Sequence, residues 1–168
     1  MPVEFTKNER LLLSNQFRIL QRLVPEEAAG YEQAVKILER GYTFEYGGLL
    51  EPFSDELGFD ECREVMDILD MHRMLNDAYR KLEDQTGIDP NALKFRGFDG
   101  NQETEQMGYA RFLIRDQGKW DELLHTELNS HYPTLPSYRS MLQQWRASKD
   151  QYALTKDDLI RISAKGRG

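Results

Sequence analysis

The stretch of sequence that decides the fold is residues 60–86, which read DECREVMDILDMHRMLNDAYRKLEDQT. Apolar residues recur along it at helical spacing, which predicts one broad buried face. The inner stripe of that face consists of Val65, Leu69, His72, Leu75, Tyr79 and Leu82, widened by Met66, Ile68, Met71 and Met74. Asp60 can cap the start of the helix, and a turn at residues 89–91 follows its end. We therefore expect one long helix, ending at Gln85 or Thr86, as the central element of the fold.

The N-terminal residues predict a helical hairpin. Thr6 and Glu9 form a capping-box pattern, in which each side chain satisfies a backbone amide of the other residue, so a helix should follow as far as Val24. Pro25 suits the first position of a second helix, and Gly41 suits the left-handed residue that ends it. The expected inner face of the first helix consists of Leu12, Asn15, Ile19 and Leu23, flanked by Leu13, Phe17 and Leu20.

Beyond residue 97 the sequence predicts a set of shorter helices. Asp99 or Asn101 can cap the first of them, and Thr155 with Asp158 forms a capping box for the last. Two more are marked by apolar residues, Trp120, Leu123, Leu124 and Leu128 for one and Tyr138, Met141, Leu142 and Trp145 for the other. Because no alternating strand pattern of useful length occurs, we predict an all-α fold. In this fold an N-terminal helical hairpin and a long central helix pack with a C-terminal set of shorter helices.

We expect a single domain over residues 1–168, whose subregions, if it divides, are 1–96 and 97–168. The chain has 168 residues, of which 22 are Lys or Arg and 29 are Asp or Glu, and its net charge of −7 disfavours binding to nucleic acid. The single cysteine, Cys62, allows neither an intramolecular disulfide nor a zinc site of the multi-cysteine type. No apolar run near the N-terminus is long enough for a membrane span or a signal peptide. We therefore expect a cytoplasmic protein with no cofactor, no metal, no direct nucleic-acid partner and no membrane partner.

Residues that commonly catalyse reactions carry no recognisable signature in this sequence. His72 lies on the predicted buried stripe, where a hydrogen-bonded core histidine is expected more often than a catalyst. His125 and His131 are six residues apart and do not share a helical face, which disfavours a zinc site. Residues 51–77 hold nine acidic residues against two basic ones. We interpret them as a solvated helix start, with a docking surface for a basic partner as the alternative.

Four short motifs carry a resemblance that spans nearly the whole chain. They are Leu13-Ser14-Asn15-Gln16, Glu39-Arg40-Gly41-Tyr42, Gly97-Phe98-Asp99 and Gly108-Tyr109-Ala110-Arg111-Phe112. In this order and spacing the sequence resembles the YfbU family of bacterial proteins. The resemblance implies a helical protein of uncharacterised activity. Since some relatives carry a helix-turn-helix domain beside this one, it also implies a ligand-sensing or interaction module.

The polar residues at these motifs are the candidate site. They are Asn15, Gln16, Glu39, Arg40, Tyr42, Asp99, Tyr109 and Arg111. One interpretation is an internal network in which Arg111 pairs with Asp99 or Glu39, because an uncompensated buried charge is costly. The alternative is a small polar pocket lined by Tyr42, Tyr109 and Phe112.

The segment from Tyr42 to Phe59 is more apolar than a loop that stands free in solvent. Its candidate interface residues are Phe44, Tyr46, Leu49, Leu50 and Phe53. We expect this segment to cover a partner subunit in a homo-oligomer or to fold over the core.

Two functions are compatible with these observations. The leading hypothesis is a non-enzymatic helical interaction or ligand-sensing module that self-associates and binds a protein or a small ligand. The alternative is a small cytosolic hydrolase or lyase with a polar site around Asp99 and Arg111, with His72 as a further participant. The two differ in whether these side chains converge on an open cleft or lie in a dry interior.

Overall fold

Every regular element in residues 3–124 and 127–166, which the computed structural model describes, is helical. This confirms the predicted all-α class. The chain forms two compact units, one up to Glu56 and one from Leu57, and each is described by itself. The division falls at residue 56, not at residue 96 where the sequence suggested subregions. The expectation of a single domain over residues 1–168 stays a prediction.

The first unit is a helical hairpin. Helix α1 spans Lys7–Leu23 and helix α2 spans Ala28–Arg40. The predicted capping box at the start of α1 is confirmed, because the Glu9 amide donates to the Thr6 hydroxyl and the Thr6 amide donates to the Glu9 carboxylate. Pro25 does not begin α2, because the chain first makes a 3-10 turn over Pro25–Glu27 in which the Glu27 amide donates to the Val24 carbonyl.

Gly41 ends α2 in the left-handed conformation, as predicted, with a φ of 69°. The Arg10 guanidinium donates to the Leu38 carbonyl over a distance of 3.2 Å, close beside this glycine. A Cβ atom at position 41 would lie only 2.5 Å from Arg10 Nη1. Gly41 therefore permits both the turn and the approach of the arginine.

The core of the first unit is small. Ile37, Leu38 and Tyr46 are buried in it, with Val3, Phe5, Leu13, Phe17 and Leu49 packed around them. Tyr46 belongs to a 3-10 segment over Thr43–Leu49. The prediction of which α1 face is buried is wrong in one respect. Leu13 and Phe17 pack inward, whereas the expected inner stripe of Leu12, Asn15, Ile19 and Leu23 is exposed.

The second unit is built on helix α3, which spans Phe59–Lys81. Gly58, not Asp60, is its N-cap, because the Glu61 carboxylate accepts a hydrogen bond from the Gly58 amide at 2.9 Å. The helix ends four residues before Gln85, since the Asp84 carboxylate accepts from the amide and hydroxyl of Thr86. Such a local side-chain bond offers the backbone an alternative to the helix. The inner stripe is confirmed at Val65, Leu69, His72 and Leu75, which are all buried.

Among the described residues, the second unit has four shorter α-helices. They are α4 at Pro90–Leu93, α5 at Thr104–Arg111, α6 at Leu135–Arg146 and α7 at Lys156–Ser163. A π-helical turn over Phe112–Asp116 continues α5. The capping box predicted at Thr155 and Asp158 is confirmed at the start of α7. The helix expected around Trp120 is instead a 3-10 turn over Asp121–Leu123, which follows Trp120 in a left-handed conformation.

Three acidic residues of α3 bind other parts of the second unit. Glu64 forms two hydrogen bonds of 2.8 Å with Arg139 of α6, and Asp67 pairs with Arg146 of the same helix. Asp70 accepts a hydrogen bond of 2.8 Å from the indole of Trp120. The acidic segment is thus more than a solvated helix start, because part of its charge links α3 to α6. In the described parts of the chain, no helix combines the length and apolarity that crossing a membrane requires.

Candidate functional site

The predicted polar residues of the first unit lie on its surface. Asn15, Gln16, Arg40 and Tyr42 are all exposed. Glu39 pairs with Arg18 of α1 at 2.5 Å, and both side chains are about half exposed. The pairing of Glu39 with Arg111, one of the two pairings expected from the sequence, stays a prediction. A surface pair of this kind contributes at most about 1 kcal/mol.

The structure does not form the buried pair of Asp99 with Arg111 that the sequence predicts. Asp99 is buried, and its carboxylate accepts from the Asn101 backbone amide at 3.0 Å, so it closes a local turn. Arg111 is exposed, because the inward residues of this region are Ala110, Leu113 and Ile114. The Tyr109 ring stacks on Phe112 at 6.4 Å.

The buried polar network of the second unit is centred on Glu103, which the sequence analysis missed. Glu103 is only 4% exposed, and its carboxylate accepts from the backbone amides of Asp99, Thr134 and Leu135 at 2.8–3.1 Å. Because Thr134 and Leu135 begin α6, the Glu103 carboxylate caps this helix at its positive end. Two of its donors lie 31 and 32 residues further along the chain, so no local sequence motif predicts that Glu103 caps α6.

The Gly97-Phe98-Asp99 motif is held against residues 128–130. The Phe98 amide donates to the Leu128 carbonyl, and the Ser130 amide donates to the Phe98 carbonyl, both at 3.0 Å. Gly97 has a φ of 84°, and a Cβ atom there would lie 2.2 Å from the Leu128 carbonyl oxygen. Only glycine fits this position, so the motif is explained by backbone packing.

The first unit carries an apolar surface on α1, which we call the α1 surface and define by Leu12, Ile19 and Leu23. These side chains are 64%, 51% and 71% exposed. They lie on one face of the helix, because their spacings of seven and four residues are close to whole turns. Asn15 and Gln16 lie between Leu12 and Ile19 on the same side. No charged side chain lies within this stripe.

The candidate interface residues after α2 divide into two groups. Tyr46 is buried and its ring packs on Phe5 with centroids 4.9 Å apart, so this part of the segment folds over the core of its own unit. Phe44 and Phe53 are 95% and 75% exposed. Leu50 is also exposed and Leu49 is half-buried. Exposed aromatic rings of this kind add apolar area to the surface of the first unit.

His72 and Cys62, two residue types that often catalyse reactions, have the contacts of structural residues in this protein. His72 is fully buried, and its Nδ1 atom lies 2.8 Å from the Leu93 carbonyl, which confirms the hydrogen-bonded core histidine. Cys62 is half-buried, with its thiol 3.6 Å from the Leu57 carbonyl. His131 is exposed, and His125 lies outside the described residues. Within residues 3–124 and 127–166, no group of three or more His, Cys, Asp and Glu residues is arranged to hold a metal ion.

Comparison with known protein families gives a match over nearly the full length. The model of the YfbU domain family matches residues 3–164. The match covers most of each compact unit and all four motifs quoted above.

Proposed function

The chain belongs to the YfbU family, and we propose that it is a non-enzymatic helical interaction module that self-associates through the α1 surface. The observation that carries this proposal is the exposure of three large aliphatic side chains along one face of one helix, Leu12, Ile19 and Leu23. An amphipathic helix normally buries such a stripe against another element.

Burial of these side chains supplies the free energy of association. Full burial of one Leu or Ile side chain stabilises by about 1.5–3 kcal/mol relative to exposure. If this helix face were polar, covering it with a partner would release little free energy. The exposed rings of Phe44 and Phe53 belong to the same unit and extend the apolar area available for binding.

The partner that fits this surface best is a second copy of the chain. Leu12 and Ile19 lie symmetrically about Asn15 and Gln16, so an antiparallel second α1 places Leu12 of one copy opposite Ile19 of the other. The amides of Asn15 and Gln16 both donate and accept hydrogen bonds, and they would face the same pair in the second copy. The central part of the stripe, from Leu12 to Ile19, is therefore self-complementary in the order of its apolar and amide side chains.

The test is the mass of the protein in solution, measured by light scattering after size-exclusion chromatography at micromolar concentration. We expect twice the 19.7 kDa of one chain. Ile19→Glu places a charge in the stripe and should return the mass to that of one chain. Tyr152→Glu is the matched control, because Tyr152 is also an exposed large hydrophobic residue, at 79%, and lies in the second unit.

The outcome that contradicts the proposal is a wild-type mass of one chain at this concentration. A dimer that Ile19→Glu and Leu12→Glu both leave intact would move the interface away from α1. Phe44→Ser then tests whether the segment after α2 carries the contact.

A further inference from the structure

A cavity of about 40 Å³ lies beside His72 in the second unit. Its wall includes His72 of α3, Thr134, and Tyr138 and Met141 of α6, with Lys94 and Arg96 contributing from the segment after α4. One buried water molecule needs roughly 10–15 Å³ of such space. The cavity therefore has room for more than one water-sized group.

The Nε2 atom of His72 is buried and has no hydrogen-bond partner among the described residues. Its other ring nitrogen, Nδ1, faces the Leu93 carbonyl at 2.8 Å. Because a carbonyl oxygen only accepts, Nδ1 carries the hydrogen and Nε2 presents a lone pair. Because His72 lines the cavity, a group bound there can satisfy Nε2 only through an O–H or N–H donor.

No hydroxyl group of the described residues donates that hydrogen to Nε2. The Tyr138 hydroxyl donates to the Gly97 carbonyl at 3.1 Å and accepts from the Arg96 amide at 2.9 Å. The Thr134 hydroxyl lies 2.9 Å from the Gly97 carbonyl and 3.0 Å from the Glu103 carboxylate, and one of these takes its single hydrogen. The protein thus leaves the His72 acceptor to an external donor.

The charge around the cavity favours an anion. Lys94 and Arg96 line it, and no acidic side chain of the described residues does. This local excess of positive charge occurs in a chain whose net charge is −7. Burial, reinforced by the positive charge of Arg96, lowers the pKa of His72 to about 4, so the ring is neutral near pH 7 and its lone pair is retained.

We infer that this cavity binds a small hydroxycarboxylate, whose hydroxyl donates to Nε2 of His72 and whose carboxylate lies beside Arg96 and Lys94. The two chemical requirements are separate, a donor for the buried lone pair and a negative charge for the cationic side of the cavity. The site lies wholly among residues 57–166 and is independent of the self-association proposed for residues 3–56.

The test uses glycolate, acetate and ethylene glycol as probes on protein with ¹⁵N-labelled histidine. Glycolate carries both groups, acetate lacks the hydroxyl and ethylene glycol lacks the charge. We expect millimolar glycolate to shift the Nε2 resonance of His72, because a hydrogen bond to a ring nitrogen changes its chemical shift. The other two probes should leave this resonance in place.

Variants separate the site from a general effect of salt. Arg96→Met should raise the glycolate dissociation constant by about tenfold or more, which corresponds to the loss of a charge-assisted contact. Lys149→Met, at an exposed lysine away from the cavity, is the matched control and should change nothing. Lys94→Met provides a second test at an exposed residue of the cavity lining if Arg96→Met fails to fold.

Two results would overturn the inference. The Nε2 resonance of His72 could stay in place at millimolar glycolate, which would indicate that the cavity holds ordered water alone. Acetate could shift it as strongly as glycolate, which would indicate an unspecific anion effect. Neither result bears on the solution mass, so failure here is distinguishable from failure of the proposed self-association.

Discussion

The backbone conformation and the close packing at position 97 both require glycine. Its φ of 84° lies in the left-handed region, and the Leu128 carbonyl stands where a side chain would begin. Gly97→Ala should destabilise the fold by at least about 1–3 kcal/mol from backbone strain alone, and the overlap with Leu128 should add to that. The free energy of unfolding in urea measures the loss.

Gly108→Ala is the control for this prediction. Gly108 lies in α5, and a Cβ atom there would meet nothing within 4 Å. The same substitution should therefore stabilise the protein by about 0.4–1 kcal/mol, since it restricts the unfolded chain. Equal losses for the two variants would contradict the explanation given for Gly97.

His72 should make the stability of the protein depend on pH. Burial lowers its pKa from 6.5 to about 4, so the unfolded chain binds more protons than the folded one between these values. The stabilisation is complete above about pH 6.5 and is lost as the pH falls towards 4. From this shift alone it amounts to about 3 kcal/mol.

Comparison with His72→Phe isolates this contribution, because carboxylates also titrate in the same range. The difference in unfolding free energy between the two proteins should change between pH 6.5 and 4 and be constant above pH 7. Arg96 is the charged group that acts on the His72 ring, and the Tyr138 ring packs against it at 5.0 Å. A pH-independent difference would show that His72 titrates as it does in the unfolded chain. His131→Gln, at an exposed histidine, is the control.

At the scale of elements, helix α6 depends on a carboxylate from a distant part of the chain. Glu103→Ala removes the acceptor for the Thr134 and Leu135 amides and for the Asp99 amide. We expect a loss of about 2–4 kcal/mol, because buried amides are left unsatisfied and a charged acceptor is lost. Hydrogen exchange in the first turn of α6 should accelerate together with the fall in stability seen in urea.

Glu105→Ala provides the control, since Glu105 is exposed in the first turn of α5. It should cost less than about 1 kcal/mol. Unchanged exchange of the α6 amides in Glu103→Ala would be inconsistent with the capping role.

The elements that could be predicted are those fixed by nearby residues. The capping boxes at Thr6 and Thr155 and the left-handed Gly41 each depend on a few neighbours in the chain, and all three are confirmed. The end of α3 comes earlier than periodicity predicts. The Asp84 carboxylate accepts from the Thr86 amide and so competes with the helix, and hydrophobic periodicity carries no signal of this bond.

Contacts between residues that are far apart in the sequence could not be predicted from it. Periodicity indicates that α1 has an apolar face and predicts that the stripe at Leu12 and Ile19 is buried. The side that packs depends on contacts with α2 and Tyr46, and this stripe is exposed. Arg111 was paired with Asp99 because both are charged and lie near aromatic residues. The carboxylate that organises this region, Glu103, accepts from the Thr134 and Leu135 amides, which lie more than 30 residues away.

At the scale of the whole molecule, self-association should couple stability to protein concentration. A dimer that forms only from folded chains gains stability by mass action. The melting temperature of the wild-type protein should therefore rise with concentration, whereas that of Ile19→Glu should not. A concentration-independent melting temperature of the wild-type protein would argue against a dimer under these conditions. Differential scanning calorimetry over a wide range of concentrations makes the measurement.

The bonds between α6 and earlier parts of the chain should hold α6 in place even after the chain is cut between them. Glu64 and Asp67 of α3 hold Arg139 and Arg146, and Glu103 holds the first turn of the same helix, all from residues that precede Lys119. Lys119 itself is exposed. Hydrolysis of the peptide bond after Lys119 should therefore leave two fragments that remain associated and co-elute under native conditions. The C-terminal fragment is in effect a ligand of the N-terminal one, and the two should reassemble when mixed as separate chains.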